Sequence, residues 1–110
     1  MAEFETVLRT PELGPGYIAE VQAHGREIAV ANVGQTYYAF EAACPVDGTN
    51  LAREGLLQGD LLTCPNDDAS FDVRTGQRID GDGTLRSLTV RIEGNEVKVV
   101  PVRYADGNVR

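Results

Sequence analysis

Residues 44–51, CPVDGTNL, and residues 64–76, CPNDDASFDVRTG, each open on Cys-Pro, twenty positions apart. A Cys pair placed this way, each thiol followed by a Pro and a polar turn, reads as two halves of one metal or redox site rather than as a disulfide framework. The other donors beside the thiols are carboxylates, Asp47 in the first stretch and Asp67 and Asp68 in the second.

The chain around these stretches alternates with a period of two, and no run keeps a 3.6-residue repeat long enough to predict a helix. In YIAEVQAH, Tyr17, Ala19, Val21 and Ala23 share a face opposite Glu20, Gln22 and His24, the pattern of a half-buried strand. His24-Gly25 turns the chain into REIAVANV with Ile28 and Val30 inward, and Gly34-Gln35 turns it again into TYYAFEA, where Tyr38 and Phe40 share a face. Leu88, Val90 and Ile92 alternate with polar residues before Gly94-Asn95, and Val97 and Val99 alternate after it, which predicts a second hairpin. Between these β regions, residues 42 to 84 hold both cysteines and most of the Asp residues, so function is expected there, on loops over a β scaffold. The last residues, YADGNVR, are expected to fray.

With 110 residues and 42% apolar side chains, the chain is expected to form one domain around one modest core. Ten Lys and Arg against 17 Asp and Glu give a net charge of -7, which disfavours nucleic acid and anionic lipid and favours a partner with a basic face. The first residues, MAEFETVLRT, lack a basic and then apolar leader, and no segment reaches the ~18 apolar residues of a membrane span, so a soluble cytoplasmic protein is expected. Two cysteines are too few for a secreted disulfide scaffold, and in a reducing compartment such a pair points to metal or redox work.

Cys44-Pro45, Gly48, Leu51, Gly55, Leu61, Cys64-Pro65 and the run Phe71-Asp72-x-x-Thr75-Gly76 together resemble the Rieske ferredoxin family, whose pattern is Cys-x-His, a spacer, and Cys-x-x-His. The resemblance covers nearly the whole chain. It implies an all-β Rieske-type fold over residues 1–110, antiparallel sheets carrying two cluster-binding-type loops at about 42–51 and 62–71. It also implies an electron carrier rather than an enzyme, with a [2Fe-2S] cluster as family cofactor and an oxidoreductase or oxygenase component as partner.

This chain departs from the family at both histidine positions, where Val46 and Asp67 stand. A Rieske cluster takes two thiolates on one iron and two imidazoles on the other, and valine has no lone pair to offer. Asp47, Asp67 and Asp68 are the carboxylates at hand, but a carboxylate is harder than imidazole and adds negative charge. The only histidine, His24, is expected on the polar face of a hairpin turn. The resemblance therefore implies that Cys44 and Cys64 keep the family's ligand positions while no normal cluster is held, so no cofactor is expected. The two cysteines then either remain half-buried thiols, close as a disulfide, or share a zinc or iron with Asp residues.

DGDG, residues 80–83, lacks the spacing and the distal Glu of a calcium loop and is read as a turn. Tyr37 and Tyr38 are read as adjacent strand residues facing opposite ways. Neither a nucleophile–His set nor a phosphate-binding Gly loop can be assembled. Three functions follow: a ferredoxin scaffold whose cluster is lost, naturally or by engineering; a cluster-free binding or regulatory subunit, similar in this to the small subunit of assimilatory nitrite reductase; or a redesigned metal or dithiol site on the same frame.

Overall fold

The computed structural model describes residues 4–66, 69–79, 81 and 83–100. Its strands are β1 (Glu5–Arg9), β2 (Ile18–Ala23), β3 (Arg26–Val33), β4 (Thr36–Glu41), β5 (Leu56–Gln58), β6 (Leu61–Thr63), β7 (Ser70–Asp72), β8 (Ser87–Glu93) and β9 (Glu96–Val100). A single turn of 3-10 helix, Thr10–Glu12, follows β1, and one turn of α-helix, α1 (Leu51–Glu54), precedes β5. Six strands form one antiparallel sheet in the order β1-β9-β8-β4-β3-β2, and β5-β6-β7 form a second, smaller one. The all-β reading of the sequence holds.

The β2–β3 and β3–β4 connections are the two-residue turns that His24-Gly25 and Gly34-Gln35 predict. All four residues have positive φ, as the mirror-image turns that suit twisted hairpins require. His24 and Gln35 lack glycine's freedom there, and side chains brace both turns: Glu5 accepts the His24 N–H and Asn32 Oδ1 accepts the Gln35 N–H. Glu93 pairs with Glu96 across Gly94-Asn95, so the C-terminal hairpin is also as expected.

Strand β3 is buried on both faces, which period-two alternation alone did not reveal. Ile28 and Val30 join Leu8, Leu88, Val97 and Val99 in one cluster, while Ala29 and Ala31 face a second cluster with Phe40, Leu51, Leu62, Phe71 and both cysteines. Alanine on that second face leaves room for the small sheet and the Cys-Pro loops to approach closely.

Two expectations are corrected. Tyr17 does not share the buried face of Ala19, Val21 and Ala23; it lies one residue before the first paired position, Ile18↔Ala31, and is 68% exposed. Ile92 does not continue the inward row of Leu88, because β4 pairs with β8 only at Leu88 and Ser87 and the far end of the hairpin overhangs. His24 stands exposed in the β2–β3 turn as expected, and its ring also reaches β9, where Nε2 is 3.2 Å from the Val99 carbonyl oxygen. Strand β1 was not anticipated; it pairs with β9 although Leu8 alone of its residues is fully buried. Asp80 and Asp82 of DGDG and the YADGNVR tail lie outside the described residues.

Candidate functional site

Both cysteines occupy the same place in loops of the same size. Cys44 N–H donates to the Thr49 carbonyl and Cys64 N–H to the Ala69 carbonyl, both at 2.8 Å, so each thiol sits at the neck of a six-residue loop. The first loop is held further by Gly48 N–H on the Cys44 carbonyl, at 2.8 Å, and by Thr49 N–H on Asp47 Oδ1, at 2.9 Å. The second grows out of the β6–β7 hairpin, whose pair Thr63↔Ser70 flanks it.

Asn50 fixes how the first loop leaves. Its Oδ1 caps α1 by accepting from the Ala52 and Arg53 N–H groups, and its Nδ2 donates to Glu20 on β2 and Glu27 on β3. Arg53 Nε and Nη2 add a forked pair to the Glu20 carboxylate at 2.9 and 3.0 Å. That pairing holds Glu20 below the usual carboxylate range, through the Arg53 hydrogen bonds first and Asn50 second. The loop is thereby tied to the large sheet. Asn66 Nδ2 donates to Thr49 Oγ1 at 2.7 Å and joins the two loops directly.

The Phe71-Asp72-x-x-Thr75-Gly76 run closes the hairpin that carries the second loop. Phe71 and Val73 are buried beneath the site with Leu62. The Asp72 carbonyl accepts Gly76 N–H at 2.6 Å, and the Asp72 carboxylate holds Arg74 Nε at 3.1 Å and Nη2 at 2.9 Å. Gly76 combines a φ of 83° with a place where a Cβ would lie 3.0 Å from Ser87 Oγ, so both conformation and space call for glycine.

Cys44 and Cys64 are buried as free thiols, and the Asp47 carboxylate comes to them from the exposed side of the loop. Cys64 Sγ lies 3.8 Å from each Asp47 oxygen, and the donor atoms of Cys44, Asp47 and Cys64 are all within 4.8 Å of one another. Burial pushes the Cys64 thiol above its ordinary value, and the Asn66 backbone N–H and the Thr49 hydroxyl partly oppose that by hydrogen-bonding the sulfur. Val46 N–H points at Cys44 Sγ at 3.4 Å, while the Val46 side chain is 45% exposed.

The fold thus gathers three of the donors singled out in the sequence. Asp67 and Asp68 lie outside the described residues, and His24 is bonded to Val99 and Glu5 on the edge of the other cluster. Sequence reasoning missed Asn50, Thr49 and Asn66. For Asn50 a signal was present, an Asn placed directly before the helix-forming run Leu-Ala-Arg-Glu.

A Rieske [2Fe-2S] domain model matches residues 3–101. The chain belongs to the Rieske [2Fe-2S] domain family. It is 29% identical over 98 residues to the biphenyl dioxygenase ferredoxin subunit of Pseudomonas sp. (strain KKS102), covering 87% of this chain and 90% of that one. A chain of the complex of reduced oxygenase and oxidized ferredoxin in carbazole 1,9a-dioxygenase superposes with a TM-score of 0.81 at 30% identity, over 88% of this chain and 92% of that one. A protein described as the small subunit of an NADPH nitrite reductase shares the fold, with a TM-score of 0.75 at 18% identity, over 88% and 97% of the two chains. The fold is that of a Rieske ferredoxin, an electron-carrier scaffold. Among the described residues no helix is long and apolar enough to cross a membrane.

The donor chemistry sets this Rieske domain apart. A Rieske centre takes two thiolates and two imidazoles. The two loops supply both thiols, yet the whole sequence has one histidine, and its ring is engaged at Val99. The residues present do not fit that ligand set.

Proposed function

We propose that this chain keeps the Rieske ferredoxin scaffold without its family's two-iron cluster, and that what remains is the surface by which such a scaffold meets a larger redox component. The observation that carries this is the histidine count: a single imidazole, His24, held by Val99 and Glu5 away from the Cys-Pro loops, cannot replace two. Val46 adds to it, since the side chain two residues after Cys44 is an exposed hydrocarbon with no donor atom.

The partner is an oxidoreductase or oxygenase component with a basic face. The net charge of -7 supports a basic face, and relatives support the component, being ferredoxin parts of dioxygenase systems, one of them described in complex with its oxygenase. Steering of this kind speeds encounter and weakens as salt rises.

Protein purified from iron-replete cells is expected to be colourless, with no sulfide-to-iron absorption and no paramagnetic signal after reduction. The double variant Val46→His, Asp67→His is expected to become brown on reconstitution with iron and sulfide. A stable two-iron, two-sulfide centre in the unmodified chain would overturn the reading. Co-purification with a larger redox component, lost at high salt, tests the docking half.

A further inference from the structure

We infer that Cys44, Cys64 and Asp47 form a mononuclear site for a soft divalent cation, zinc by preference, with a fourth position left for water. A tetrahedral zinc with Zn–S near 2.3 Å and Zn–O near 2.1 Å holds its ligands at edges of about 3.8 Å between sulfurs and about 3.6 Å between sulfur and oxygen. Cys64 Sγ already lies 3.8 Å from both Asp47 oxygens, and all three donors fall within 4.8 Å of one another, so a cation draws them in by little more than about an ångström at most.

Burial disfavours charge on these sulfurs, so a bound cation supplies what the surroundings lack. The Val46 backbone N–H lies 3.4 Å from Cys44 Sγ. Such a donor offsets part of the charge that appears when metal replaces the two thiol protons, which leave to solvent. Both sulfurs are buried, and the carboxylate arrives from the exposed side with Oδ1 held by Thr49 N–H. The second thiol and the carboxylate sit on different loops from each other, and Asn66–Thr49 locks those loops together before any metal arrives. Two thiolates favour zinc or cobalt over magnesium or calcium, and three protein ligands match zinc sites that keep a water.

This inference is independent of whether a partner docks. The test uses the full chain, reduced and stripped with a chelator, titrated with Zn2+ against a chromophoric indicator and separately with Co2+. One Zn2+ per chain is expected, together with a thiolate-to-cobalt charge-transfer band. Cys64→Ser is expected to abolish both, and Asp47→Ala to weaken Zn2+ by at least about tenfold, the lower end of what losing even an outer partner costs. Asp60→Asn removes one charge elsewhere and is expected to change nothing, which separates a built site from general attraction to an acidic protein. Should Cys64→Ser fail to fold, protection of both thiols from alkylation by Zn2+ in the unmodified chain takes its place. Folded chain that binds less than one Zn2+, shows no thiolate band with Co2+, or gains no protection overturns the inference. That result leaves the cluster-free reading standing, whereas a brown iron-sulfide spectrum sinks the cluster-free reading instead.

Discussion

Gly55→Ala tests the packing beneath the site. Gly55 follows α1 with φ -66° and ψ 149°, a conformation any residue adopts, so the substitution carries no backbone strain. Space is the difficulty: a Cβ there would lie 2.5 Å from the Leu51 carbonyl oxygen and 2.8 Å from Leu62 Cδ1. That carbonyl is the one accepting Gly55 N–H at 3.0 Å, and Leu62 is fully buried beside both cysteines, so neither neighbour yields cheaply. Overpacking of this kind costs about 1–3 kcal/mol. At roughly 5 °C per kcal/mol for a small domain, the melting temperature should fall by roughly 5–15 °C. With four Tyr and no Trp, thermal and urea unfolding are best followed by far-UV circular dichroism and tyrosine emission. Leu62→Ala removes one of the two clashes, so the double variant should be less destabilised than the sum of the singles. Gly59→Ala gives the contrast: φ is +61° with open space around the Cβ, and its cost of about 1 kcal/mol comes from the backbone alone. A Gly55→Ala protein as stable as the parent, or strict additivity with Leu62→Ala, would refute the steric argument.

Asn50→Ala should lose about 1 kcal/mol from the helix cap and release the first loop from Glu20 and Glu27; hydrogen exchange of the Thr49 and Leu51 amides should quicken. The Arg74 fork holds the Asp72 carboxyl below the usual range, first through its side-chain hydrogen bonds. A folded-state value lowered in this way adds stability above the unfolded carboxylate pKa and loses it as pH falls through the folded one. The acid limb of urea stability should therefore flatten in Asp72→Asn; an unchanged limb would place the acid sensitivity elsewhere. Because burial raises the Cys64 thiol, metal-free reduced protein should react with a thiol reagent at neutral pH far more slowly than after unfolding; equal rates in the two states would contradict the burial.

The hairpins were legible because each turn is written locally: His24-Gly25, Gly34-Gln35 and Gly94-Asn95 each stand between alternating runs. The paired loops were equally legible, since Cys-Pro and the Phe71-to-Gly76 run mark them by composition. Tyr17 and Ile92 were misplaced for one reason, that alternation gives a residue's parity but not whether a neighbour covers it at that point. For Asn50 the cap signal was local, while its bonds to Glu20 and Glu27 span 30 and 23 residues.

By itself the amino-acid order determined the strand period, the turn positions, the thiol pair and the shortage of histidines, all of which are counts or short-range patterns. Only the tertiary structure decided that Asp47 meets Cys64 across 17 residues, that β3 is covered on both sides, and that His24 is committed to Val99. Those depend on which surfaces the two sheets bury against each other, and burial is a property of the assembled chain rather than of any window along it.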